Sequence, residues 1–89
     1  MKLKIFTKKD CPRCPEAEKI AKKMPEKIST EFFDVEEADG LAEAQFYSIM
    51  ATPSLILCDN NENELASWRG ETPSEEIIKE TLQNNNLDH

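Results

Sequence analysis

The sequence predicts an α/β chain in the order β-α-β-α-β-β-α, a four-stranded mixed sheet flanked by three helices. Three observations predict it. Short β-prone runs alternate with stretches whose apolar residues recur at helical spacing. A strand, a helix and then another strand imply a right-handed crossover and a parallel pair. Only the polar turn 59–63 separates the last two strands, so these form an antiparallel hairpin.

The first strand is Lys2 to Thr7, which alternates polar and apolar residues and ends in Lys8-Lys9-Asp10. The first helix is expected to begin at Cys11-Pro12, because a proline at the first helical position loses an N–H that was unpaired anyway. Pro15 then falls within the first turn. Ala17, Ile20, Ala21, Met24 and Ile28 make an apolar stripe, and Glu18 with Lys22 is a favourable i,i+4 pair. Pro25 biases Met24 away from helix and marks the stop. Thr30 to Val35, with Phe32 and Phe33, is the second strand. Asp39 is expected to cap a second helix whose inner face is Ala42, Phe46, Ile49 and Met50.

Thr52-Pro53 breaks that helix, and Ser54-Leu55-Ile56-Leu57-Cys58 reads as a buried third strand. Glu64 to Trp68 returns as the fourth, closed by Gly70. Thr72-Pro73-Ser74-Glu75 is expected to be a capping box for the last helix, with Ile77, Ile78 and Leu82 facing inward. Residues 84–89 form a polar tail expected to fray.

A chain of 89 residues is read as one domain over 1–89 with a compact core. Hydrophobic residues at 38% and charged residues at 33% suit a small soluble globule rather than a disordered tail. The net charge of -7 argues against a nucleic-acid binder, which needs a basic footprint. That charge is segregated. Residues 1–27 carry nine Lys/Arg against four acids, a local +5, and residues 28–89 carry two against 14, a local -12. Met1 runs directly into the first strand with no apolar leader, and no apolar run has the ~20 residues of a membrane span, so a cytoplasmic protein with no membrane association is expected. Three cysteines are too few for a secreted disulfide scaffold.

Cys11-Pro12-Arg13-Cys14 carries the chemistry. A CxxC between a strand and the start of a helix can bring its sulfurs to bonding distance, and the positive end of the helix favours thiolate over thiol. Cys11 is therefore the expected nucleophile and the deeper Cys14 the resolving thiol. Arg13, inside the motif, favours the thiolate, whereas Asp10 opposes it; Lys8 and Lys9 either contribute or are simply a solvated loop. The competing reading of the pair is half a zinc site, for which the remaining ligands would have to be Cys58 and His89. Cys58, on a buried strand, reads more simply as a small hydrophobe, and Trp68 and Phe46 as core or rim.

With these residues in view, the chain resembles the thioredoxin superfamily, in particular the small glutaredoxin-like thioredoxins of archaea and bacteria. The resemblance runs from Lys2 to Leu82. It rests on Cys11 and Cys14, on Ala51-Thr52-Pro53 before the third strand and on Gly70 after the fourth. It implies a minimal thioredoxin fold, a cis bond before Pro53 facing the cysteines, and substrate contacts at Thr52, Pro53 and Gly70. It also implies a monomer acting as a disulfide reductase on client proteins, reset by a thioredoxin reductase-like or other thiol donor. No cofactor beyond the redox-active Cys11–Cys14 pair and no metal is implied.

Two departures bear on this. Larger thioredoxins carry a Gly-Pro pair between the cysteines and a buried acid in the preceding strand, where this chain has Pro12-Arg13 and Ile5. Glutathione-using glutaredoxins have a Gly-Gly turn near the last helix, where this chain has Trp68-Arg69-Gly70-Glu71-Thr72; Arg69, Lys8 and Lys9 remain candidates for glutathione carboxylates. A glutathione-dependent glutaredoxin and an iron–sulfur cluster-binding module are the alternatives.

Overall fold

The alternating pattern of Lys2–Thr7 produces strand β1, which runs through the middle of the molecule. In a computed structural model, which describes residues 1–85, it is followed by α1 (Cys14–Lys22), β2 (Ser29–Asp34), α2 (Ala38–Phe46), β3 (Ser54–Cys58), β4 (Glu64–Arg69) and α3 (Glu75–Asn85). The four strands form one sheet in the order β2-β1-β3-β4. β1 pairs with β2 in parallel, as the crossover through α1 requires, and with β3 antiparallel; β3 and β4 are the expected hairpin, with a register shift at Leu57/Cys58. The minimal thioredoxin fold expected from the sequence is present.

Successive residues of a strand point to opposite faces, and both faces of this sheet are covered. On one side Leu3, Ile5, Leu55 and Leu57 pack with Ala17 and Ala21 of α1 and with Ile78 and Leu82 of α3. On the other, Phe6 and Ile56 pack with Ala44 of α2 and with Tyr47. β3 is consequently buried at all five positions. Lys4 is drawn into the second layer by its place on the alternation. It is almost fully buried, pairs with Glu43 and Glu62, and lies over the rings of Phe33 and Tyr47 at 5.6 and 5.1 Å.

Several expected details are corrected. α1 begins at Cys14, three residues later than the proline rule suggested: Pro15, not Pro12, takes the early helical position, and residues 11–13 form a turn closed by Cys14 N–H donating to the Cys11 carbonyl at 3.3 Å. β2 is shifted back by one residue, to Ser29–Asp34. Asp39 does not cap α2; Glu37 holds the N-cap position and makes no side-chain bond there.

The inner face of α2 differs too. It is Gly40, Ala44 and Tyr47, at i, i+4 and i+7, while Phe46 is 68% exposed and Met50 93% exposed. The reason is proximity. A β-carbon at Gly40 would overlap the carbonyl of Asp34 at the end of β2, so the helix presents its smallest residue there and turns Phe46 outward.

The capping box of α3 is displaced by two residues. Ser74, not Thr72, accepts the Ile77 N–H at 3.2 Å, and the Thr72 hydroxyl is buried without a partner among the described residues. Ile77 is half exposed, leaving Ile78 and Leu82 as the inward pair. Asn84 and Asn85 continue the helix rather than fray, and the rest of the expected tail, 86–89, lies outside the described residues. No helix among the described residues is long and apolar enough to cross a membrane.

Candidate active site

Three connections meet at one end of the sheet: the loop leaving β1, the loop entering β3 and the turn leaving β4. Register dictates this, because Phe6 is opposite Ser54 and Ser54 opposite Arg69. At the end of the β1 loop Asp10 adopts φ 63, a left-handed conformation that Asp tolerates better than most residues, and the next residue is Cys11. Cys11 and Cys14 are disulfide-bonded, with Cα atoms 5.4 Å apart. Cys11 is partly exposed, whereas Cys14, at the start of α1, is 4% exposed. Because the helix starts at Cys14, Cys11 precedes it instead of lying in its first turn. Its sulfur is nevertheless held at the helix's positive end through the bond to Cys14.

The loop entering β3 supplies the facing wall. The Thr52–Pro53 bond is cis and Pro53 is fully buried, while the Thr52 hydroxyl donates to Cys11 Sγ at 3.7 Å. Cys11, Pro12, Arg13 and Thr52 line one open depression of about 360 Å³ with Lys8, Met50 and Ala51. Gly70 does not line that depression. It stands behind the loop with φ 76, where a β-carbon would touch Ala51 at 3.4 Å.

Ser54 joins these parts and was not singled out from the sequence. Fully buried, its hydroxyl donates to the Ala51 carbonyl at 2.7 Å and accepts the Gly70 N–H at 3.0 Å. One side chain thus ties the β3 loop to the β4 turn, and losing it would remove two part-buried hydrogen bonds, at about 0.5–1.5 kcal/mol each. The available signal was a serine opening an otherwise apolar strand, since a hydroxyl buried there must find partners.

The cations named from the sequence divide. Lys8 and Arg13 are exposed at the depression. Arg69 is not available to it: its guanidinium bonds Glu64 at 2.8 Å, Ser67 Oγ at 2.6 Å and the Tyr47 carbonyl at 2.7 Å. Cys58 lies at the other end of β3, opposite Lys2, and so cannot join Cys11 and Cys14 around one ion. Burial pushes its thiol pKa up, as an apolar setting does. His89 is outside the described residues. Ile5 is fully buried, packed with Leu3, Ala17 and Leu55.

The chain is similar to known proteins in sequence and in fold. Residues 1–83 match the family model described as a thioredoxin domain. The chain is 30% identical over 87 residues to a thioredoxin of Methanocaldococcus jannaschii, covering 93% of each, and 36% identical over 59 residues to a probable thioredoxin of Archaeoglobus fulgidus, covering 64% of this chain and 65% of that one. Among solved structures, thioredoxin 1 of Thermosipho africanus superposes with a TM-score of 0.71 at 22% identity, over 96% of this chain and 93% of that one. A mutant thioredoxin of Halobacterium salinarum does so with a TM-score of 0.79 at 20% identity, over 93% and 72%. Nearly the whole length takes part in both the sequence and the family match, so the chain belongs to the thioredoxin family and is a thiol–disulfide oxidoreductase acting through its close Cys11–Cys14 pair.

Proposed function

We propose that the protein works as a protein disulfide reductase with Cys11 as nucleophile and Cys14 as resolving thiol. The observation that carries this reading is the unequal exposure of two bonded sulfurs: Cys11 opens onto the depression and Cys14 is buried behind it. Only the accessible sulfur can meet a client disulfide.

In the reduced enzyme, Cys11 thiolate attacks one client sulfur. A Cys11–client bond forms, the client's own S–S bond breaks, and the departing thiolate takes a proton. Cys14, as thiolate, then attacks Cys11 Sγ, restoring the Cys11–Cys14 bond and releasing the second client thiol. Two electrons and two protons have passed to the client, and an external thiol donor returns them to the enzyme. The Thr52 hydroxyl and the positive helix end favour negative charge on Cys11, and exposed Arg13 acts in the same sense. The loop at Thr52 and Pro53, held by Ser54 and Gly70, is the surface against which the client segment lies.

Cys11→Ser is expected to abolish turnover of a protein disulfide, whereas Cys14→Ser accumulates an enzyme–client adduct visible by intact mass. Equal residual activity in the two variants would overturn the roles. The engagement of Arg69 with Glu64 and Tyr47 favours a protein dithiol over glutathione as donor. Turnover supported by thioredoxin reductase with NADPH, but not by glutathione with its reductase, checks that assignment.

A further inference from the structure

The connection from α2 to β3, residues 47–53, brings Thr52 to Cys11, and β4 holds it at two points. The first is where α2 ends. Ser48 is left-handed, at φ 56, and the chain turns back there: the Ser48 N–H donates to the Gln45 carbonyl at 3.2 Å and the Ile49 N–H to the Ala44 carbonyl at 2.7 Å. That closure does not use the Tyr47 carbonyl, and α2 has no basic residue in its last turn to meet the negative helix end. Arg69 meets it instead, donating to the Tyr47 carbonyl at 2.7 Å from 22 residues further along the chain.

The guanidinium is oriented by its own strand. Glu64 and Ser67 would face opposite sides of a regular strand, but the register shift at Leu57/Cys58 sets them opposite Cys58 and Ile56, on the face where Arg69 lies opposite Ser54. Glu64 accepts from both terminal nitrogens, at 2.8 and 3.3 Å, and Ser67 Oγ accepts at 2.6 Å. The second point follows directly. Next to Arg69, the Gly70 N–H donates to Ser54 Oγ, which donates in turn to the Ala51 carbonyl.

We propose that Arg69 and Ser54 are positioning residues that together clamp the α2–β3 connection and so hold the Thr52 hydroxyl on Cys11 Sγ. This rests on the reading of Cys11 as nucleophile and adds what delivers its hydrogen-bond donor. The anchored carbonyls, Tyr47 and Ala51, bracket residues 48–50 and stop one residue short of Thr52. Beyond Thr52, the buried Pro53 leads into β3. The backbone is thus fixed on both sides of the residue that meets the sulfur. A thiolate binds that hydroxyl more strongly than a disulfide sulfur does, because the acceptor is charged, but only where the loop delivers it.

The test is alkylation of the reduced enzyme by iodoacetamide over a series of pH values. Trypsin, cutting after Lys9 and Arg13, puts Cys11 and Cys14 in separate peptides whose masses report which sulfur reacted. Thr52→Val is expected to raise the Cys11 midpoint by about one pH unit, the lower end for a hydrogen bond to a charged group. Arg69→Lys, which keeps the charge but loses the fork, and Ser54→Ala are each expected to raise it by about half a unit. Added to Thr52→Val, neither is expected to shift it further, because the hydroxyl they position is gone. Lys8, Asp10 and Arg13, the charged groups beside Cys11 in its depression and in the chain, are the same in every variant.

Arg69 is exposed, so Arg69→Lys keeps the clamp open to refutation if the buried Ser54→Ala fails to fold. A wild-type midpoint in Thr52→Val or in either folded clamp variant overturns the clamp, as does a clamp shift that persists in full beside Thr52→Val; each leaves Cys11 as the nucleophile. Alkylation of Cys14 ahead of Cys11 in the wild type overturns the nucleophile assignment itself.

Discussion

Glu62 stands in the hairpin loop between β3 and β4 with φ 68 and accepts from three side chains at once. Its carboxylate meets the ammonium groups of Lys2 and Lys4 and the Tyr47 hydroxyl, which also donates to the Glu62 carbonyl at 2.9 Å. The hydrogen bond from Lys4, and then that from Lys2, holds its pKa down to about 2. Burial, the largest influence on Lys4, lowers its pKa, but the bonds to Glu43 and Glu62 outweigh it and the ammonium stays charged. Burial pushes the Tyr47 hydroxyl up to about 12, so it remains a donor.

The sign of the pH effect follows. A carboxylate whose folded pKa lies below its ordinary 4.5 adds stability above that value and loses it as pH falls towards 2. Glu62→Gln is therefore expected to be less stable than wild type at pH 7 in urea unfolding. The gap should narrow between about pH 5 and pH 2, and a gap independent of pH would show that Glu62 acts through packing alone.

At the scale of elements, Gly40 decides where α2 sits. Its α-carbon lies so close to the Asp34 carbonyl that an added methyl group has no room, and backbone cannot yield as a side-chain tip can. Gly40→Ala gains up to about 1 kcal/mol of helix propensity but incurs roughly 1–3 kcal/mol of overpacking, towards the upper end here. A net loss of about 1–2 kcal/mol is expected in urea unfolding, with faster amide exchange confined to α2 and the following turn; equal or greater stability would refute the close-approach argument.

The same glycine explains why one face was misread. Hydrophobic periodicity weights large residues, so Phe46 and Met50 drew the predicted stripe to themselves, although a helix packed this tightly shows its small residues to the sheet. Where large residues do pack inward, as Leu55 and Leu57 in β3 or Ile78 and Leu82 in α3, pattern and structure agree. The cysteine pair was legible because its spacing is local. Lys4 and Ser54 were not, since their burial depends on α2 covering one face and on the β4 turn returning to the β3 loop, both encoded far away in the chain.

Across the whole molecule, folding redistributes the charge. The basic first segment does not remain a free positive pole: Lys2 and Lys4 pair with Glu62, Lys4 also with Glu43, and Lys23 with Glu75, all acids of the later segment. What survives at the reactive end is smaller and better placed. Lys8 and Arg13 line the depression around Cys11. Exposed cations of this kind act over a screening length of about 8–10 Å at moderate salt, far enough to guide a segment arriving at Cys11.

Acidic clients should therefore gain in association rate, and that gain should be lost to salt. Raising ionic strength from about 0.02 M to about 0.5 M is expected to lower kcat/KM for an acidic peptide disulfide by about fivefold while changing that for a neutral one by less than about twofold. Replacing Lys8 and Arg13 together by Gln should bring the two salt curves together. Parallel curves in the wild type would reduce the surviving cations to solvated surface.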